Sequence, residues 1–217
     1  MQTLARIEAL IEGRHLLSHS FYTRWVAGDL PPEAIREYAT RYYHFESSFP
    51  RFLSAIHSRT EDPGHRQTLL NNLWDEEAGE ENHTELWLRF AEGVGANRED
   101  VRKGEPSPAI ASLVETYRRT SEGPVAGGVA SIYAYERQVP QVAQAKIQGL
   151  RDHYEVTDDR TLTFWRVHES LDLEHAGAER MMLATLAEDH PEEAVAATED
   201  ALEGWWSFLT EVETDAA

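Results

Sequence analysis

Apolar residues recur at helical spacing along nearly the whole of this chain, and nowhere do they alternate as in a half-buried strand. That periodicity predicts an all-α fold. Leu4, Ile7 and Ile11 form one stripe of a first helix over about 3–19. The stretch "DLPPEAIREYATRYYHFESSF" opens with prolines suited to a helix's first turn and stops before Pro50. A turn signal starts "DPGHRQTLLNNLWDEE", Gly79 threatens its continuity, and "ENHTELWLRFAEGVG" follows. After "SPAIASLVETYRRT" comes a long apolar segment, "PVAGGVASIYAYERQVPQVAQAKIQGLRDHY", which Pro140 should kink. Two more helices are expected over 158–188 and 191–212. With no repeat and no Gly- or Ser-rich linker, the expectation is one domain over 1–217. It is a bundle of seven to eight helices with a frayed tail at about 213–217.

A chain of 217 residues buries roughly 70% of its extended surface on folding, enough for an enclosed site. Its 39 acidic against 20 basic side chains give a formal charge of −19. Such a field repels nucleic acid and anionic membranes, so neither is expected as a partner. No cysteine is present, which removes disulfides and thiolate chemistry and leaves His, Asp and Glu as the metal-binding side chains. Glu8 and Glu12 interrupt the N-terminal amphipathic segment, unlike a signal peptide. No run approaches the ~18 apolar residues of a membrane span. A cytoplasmic location is expected.

The candidate chemistry begins in "WRVHESLDLEHAGAER". His168, Asp172 and His175 lie within about 60° of one another on a helix, in a setting made apolar by Phe164, Trp165, Leu171 and Leu173. Upstream, "WDEEAGEENH" offers Glu76 and His83, two turns apart if Gly79 leaves the helix continuous. Glu77, Glu80 and Glu81 read as a solvated helix end. In "SIYAYERQVP", Glu136 follows an apolar run, and a buried unpaired carboxylate is expensive unless a cation compensates it. Three histidines and three carboxylates from three helical segments suit two iron or manganese ions better than a closed structural zinc.

The spacing Glu76-x6-His83, Glu136, His168-x3-Asp172-x2-His175 resembles the ligand pattern of the haem-oxygenase-like diiron oxidases. Within that group "HSFYTRW", "SAIHSR", "NLWDEE", "YAYERQVP" and "AKIQGL" resemble the CADD family, associated with para-aminobenzoate formation. The likeness covers all but the last ~20 residues. It implies a haem-oxygenase-like bundle, O2 and an external reductant, and two irons or a mixed iron–manganese pair, in a homodimer. It also implies a self-sacrificing reaction for folate synthesis in which a tyrosine, matched by Tyr22, becomes the product's ring. A lysine, matched by Lys146, supplies the amine. From packing alone Tyr22 reads as a core aromatic beside Phe21 and Trp25. Lys146 is one of only two lysines, and an amine able to lose its proton is not interchangeable with arginine. Tyr135, next to Glu136, is the preferred radical relay among Tyr38, Tyr42, Tyr43 and Tyr135. Glu46, in "HFESSFP", departs from the family pattern and receives no role.

The sequence also allows other functions. A conventional oxygenase would act repeatedly on an external small molecule. The family's name also suggests a death-domain interaction module, which no sequence feature supports. Thiamin-salvage hydrolases of the same fold need a cysteine nucleophile, and the cofactorless quinone-forming oxidases give no reason for six convergent ligands.

Overall fold

A computed structural model describes residues 2–215, all-helical except for turns and loops. Its α-helices are α1 Gln2–Gly13, α2 Ser20–Ala27, α3 Pro32–Glu46, α4 Phe49–Arg59, α5 Pro63–Glu77 and α6 His83–Gly93. They continue as α7 Arg98–Lys103, α8 Pro108–Ser121, α9 Val125–Glu136, α10 Val139–His153, α11 Asp159–Asp189 and α12 Pro191–Asp215. Among the described residues twelve α-helices replace the expected seven to eight.

The extra boundaries have local causes. The first helix ends at Gly13, and a separate 3-10 turn, Leu16–Ser18, follows where 3–19 was expected to be continuous. The anticipated kink at Pro140 is a full break at Arg137–Gln138, with Pro140 in the first turn of α10, where its missing N–H costs nothing. Gln138 stabilises the break, its amide donating to Ala134 O at 2.6 Å and its Oε1 accepting from Leu16 N at 2.7 Å. Pro50 likewise opens α4. At the other end α12 continues to Asp215, so 213–215 are helical and not frayed; 216–217 lie outside the described residues.

Side-chain caps fix the helices that matter most for the site. Asp62 accepts from His65 N at 2.8 Å, Asn82 from Glu85 N at 3.0 Å and Asp158 from Thr161 N at 2.9 Å. These caps satisfy first-turn donors of α5, α6 and α11. Gly79, at φ +79°, takes the left-handed conformation that reverses the chain between α5 and α6.

Trp25, Trp87, Trp165 and Trp205 are fully buried and build the core with Phe21, Phe45, Phe90 and the tyrosines of α3 and α9. Three of the indoles donate inside the core: Trp25 to Lys146 O, Trp87 to Ala39 O, Trp205 to the Tyr117 hydroxyl. A Cβ at Gly149 would stand 2.6 Å from Trp25 Cδ1, so glycine lets α10 approach α2 closely and brings Lys146 over the aromatic core. No helix among the described residues is long and apolar enough to cross a membrane.

Candidate metal centre

The six candidate ligands come from four helices, not three. The chain break at Gly79 separates Glu76, in the last turn of α5, from His83, the first residue of α6. Their approach is therefore tertiary and not the two turns of one helix. His83 Nδ1 lies 2.9 Å from Glu76 Oε2, an ion-pair contact. Glu136 ends α9, in which every residue but Val125 is buried. His168, Asp172 and His175 all face inward from α11, as their spacing predicts. Of the apolar neighbours proposed there, Leu173 instead faces solvent at 65% exposure. Glu77, Glu80 and Glu81 are exposed.

Hydrogen bonds orient two of the imidazoles. His168 Nδ1 is 2.8 Å from Phe164 O. A carbonyl can only accept, so Nδ1 carries the proton and Nε2 keeps a free lone pair. His175 Nε2 is 3.1 Å from Asp75 Oδ2, which leaves Nδ1 free at 3.9 Å from Asp172 Oδ1. The rings of His83 and His168 stand 4.4 Å apart.

Three further polar side chains join them. Glu46 reaches the cluster from the end of α3 and Glu179 from α11. Asn72, on α5, donates to both oxygens of Glu136 at 3.0 and 3.2 Å and to Glu179 Oε1 at 3.5 Å. All three are buried. The spacing did contain a signal for Glu179, since 168, 172, 175 and 179 continue the same stripe by four, three and four. Asn72 and Glu76 share a face in the same way. Asp75 and Glu46 carried no comparable signal.

Burial dominates the electrostatics. It pushes the carboxyl groups of Glu46, Asp172 and Glu179 well above the usual range, with neighbouring acids adding to the effect. Glu136 is raised for the same reason, against the opposing pull of His175. Burial also drives His168 down, helped by His83. His83 is the exception: burial lowers it, but the Glu76 carboxylate prevails and holds it at about 9.

These residues fit a metal centre. Buried Glu46 Oε1, Asp172 Oδ2, His175 Nδ1 and Glu179 Oε2 have no hydrogen-bond partner, whereas native interiors satisfy nearly all such atoms. A cation would satisfy several at once. The donors are oxygen and nitrogen only, the set that suits iron and manganese. A cleft of about 440 Å³ between α5 and α11 reaches this cluster, lined by Asn72, Trp74, Asp75, His175 and Glu179.

Beside the cluster lies an aromatic chamber. Lys146 is 2% exposed; its Nζ is 3.9 Å from the Trp165 ring centre, 4.4 Å from Tyr38 and 5.1 Å from Tyr22. The amine hydrogen-bonds the Tyr38 hydroxyl. Tyr22, also buried, has its hydroxyl 3.3 Å from that of Tyr38, the polar partner a buried phenol requires. Tyr42 and Tyr135 hydrogen-bond through their hydroxyls, and Tyr38 and Tyr42 are in ring contact at 5.4 Å. A row of phenols thus runs from Tyr22 to Tyr135, next to Glu136. Tyr43 is only partly buried and lies outside the row.

Burial drives the Lys146 amine well below its ordinary 10.5, with Glu46 opposing. Burial raises the surrounding phenols Tyr22, Tyr38 and Tyr42, which stay protonated. The folded state therefore excludes a proton that the unfolded state binds. Below the folded pKa both states are charged and the burial penalty is complete; above 10.5 it is gone. Lys146→Met should accordingly be more stable than wild type near neutrality. That advantage should shrink as pH rises toward 10.5, by up to about 1.4 kcal/mol per pH unit. Denaturant unfolding at several pH values measures it, and a difference independent of pH would mean that the folded amine stays charged.

A helical bundle around buried oxygen and nitrogen donors is the class of protein that this architecture defines. The comparisons make it specific. A family model described as iron-containing redox enzyme matches residues 36–208. The chain is 36% identical over 210 residues to 4-aminobenzoate synthase of Chlamydia trachomatis serovar D, covering 96% of this chain and 91% of that protein. It is 37% identical over 217 residues to 4-aminobenzoate synthase of Nitrosomonas europaea, covering 94% and 88%. A solved TenA homolog from Pseudomonas syringae pv. tomato superposes with a TM-score of 0.83 at 18% identity, covering 97% of this chain and 91% of that one, a likeness of fold. The chain belongs to the iron-containing redox enzymes of haem-oxygenase-like fold. It is an oxidative enzyme.

Proposed function

We propose that this enzyme forms 4-aminobenzoate from its own Tyr22 and Lys146, with O2 and an external reductant, for folate synthesis. The observation that carries this reading is the chamber itself. A buried amine and a buried phenol share one partner, Tyr38, beside a cluster suited to metal. The names of the relatives supply the product.

Glu76, His83, Glu136, His168, Asp172 and His175 would hold two irons or an iron–manganese pair. When bound, such a pair supplies the reductive activation of O2 and the oxidising power that the reaction needs. The chain's own groups do the rest. Burial keeps Lys146 neutral, so its nitrogen retains the lone pair that amine transfer requires. Tyr38 holds Lys146 and Tyr22 together through its hydroxyl, and Phe21, itself packed on Trp25, holds the Tyr22 ring edge to face. Tyr42 and Tyr135 continue the phenol row toward Glu136, so Tyr135 is the proposed relay of oxidising equivalents. The closed aromatic walls exclude water from the reacting groups.

The cleft beside His175 supports a second reading, an oxygenase acting repeatedly on an external small molecule. Protein carrying ring-labelled tyrosine decides between them. With iron, reductant and O2 it should release labelled 4-aminobenzoate, at most one per chain, and intact mass should record the loss. Unlabelled product with repeated turnover on an added substrate and an unchanged Tyr22 would favour the external-substrate oxygenase.

A further inference from the structure

One close grouping of donors among the described residues is not a subset of the six assigned ligands. It consists of Glu46, His83 and His168, whose ligand atoms all lie within 4.8 Å of one another. Glu46 is 3% exposed, and its Oε1 has no hydrogen-bond partner. A buried carboxylate left that way is costly unless a cation meets it. Glu179 Oε2 is likewise buried and unpartnered, but Glu179 is not among the three donors that lie within 4.8 Å of one another.

We propose that Glu46 is a further protein ligand, binding the same ion as His83 and His168, so that this centre draws on seven protein donors. The inference rests on the dimetal reading above. Tyr38, Tyr42 and Glu46 follow one another at intervals of four along α3, one face of the helix. That face carries two members of the phenol row and ends at the carboxylate. A bound Glu46 would therefore anchor α3 to the centre and hold the phenols in register with it. It would also occupy a position on that ion otherwise open to water or a small ligand.

Cobalt(II) serves as the probe, because its visible absorption reports the coordination environment. Metal-stripped wild type, Glu46→Gln, Glu46→Asp and His168→Ala are titrated with cobalt(II). Stoichiometry, affinity against a competing chelator, absorption spectrum and thermal stability are read for each. Glu46→Gln should lose at least about tenfold in affinity at one site, no less than the loss of an outer-shell partner, and should alter the spectrum. Its melting temperature should rise above wild type without metal, since a buried carboxylate is gone, and fall below wild type with metal. A merely structural Glu46 would shift both in the same direction. Glu46→Asp keeps the charge and should weaken binding by a smaller factor; if Glu46→Gln does not fold, the aspartate variant decides by affinity and spectrum. Wild-type affinity and spectrum in the folded Glu46 variants, with binding lost in His168→Ala, would overturn the role of Glu46 and leave the dimetal centre intact. Full cobalt(II) binding by His168→Ala would remove His168 from the centre, and with it the ion that Glu46 is proposed to share; absence of cobalt(II) binding by wild type would overturn the dimetal centre itself.

Discussion

His168→Ala is expected to lose at least one metal ion per chain and, with it, product formation down to background. The ring is held by Phe164 O through Nδ1 and stacks on the Phe164 side chain at 4.0 Å, so Nε2 has one direction in which to act. Removing an outer-shell partner of a metal ligand already costs about 10–100-fold in affinity; removing the ligand should cost more. The substitution also deletes a buried ring, and a cavity of that kind destabilises by about 2–4 kcal/mol, so helix content must be checked by circular dichroism beside the metal analysis. Asp172→Ala should behave similarly while making a smaller cavity. Full iron and manganese occupancy in folded His168→Ala, by elemental analysis, would remove this residue from the centre.

Tyr22→Phe should abolish 4-aminobenzoate formation while leaving metal content and fold intact. The substitution removes one hydroxyl whose partner, Tyr38, sits at a long 3.3 Å. The stability cost is on the order of 1 kcal/mol, so complete loss of product could not be ascribed to unfolding. Phenylalanine packs like tyrosine against Phe21, but it lacks the phenol O–H through which a ring of this kind is oxidised. Lys146→Arg is its companion. A guanidinium keeps its proton at every working pH, so the lone pair is lost and a fixed charge enters the chamber. Both variants should retain metal. Product from Tyr22→Phe at more than a few per cent of the wild-type amount, by chromatography, would mean that the ring comes from elsewhere.

The metal and the phenol predictions draw on different parts of the chain, and so does their legibility. The helical class, the inward face of α11 and the solvated Glu77, Glu80 and Glu81 could be read from the order of residues. Periodicity records which side of a helix is turned from water, whatever it packs against. The same logic extended one step along α11 points to Glu179. Breaks were legible at Pro140 and Gly79 as places of strain, though not as complete ends of helices. Whether a proline kinks or terminates depends on a partner for the freed groups, and Gln138 meeting Leu16 across 122 residues is that partner.

The sequence by itself determined the helices, their apolar faces and a donor set of imidazoles and carboxylates without sulfur. Only the tertiary structure decided which faces meet. Glu76 and His83 converge because a left-handed glycine turns α6 back on α5. Asp75 finds His175, and Glu46 finds His83 and His168, from helices far apart in the chain. Lys146 lies in an aromatic chamber because Gly149 lets α10 close on Trp25. Such encounters arise from the packing of distant helices, and spacing along one helix holds no record of its neighbour.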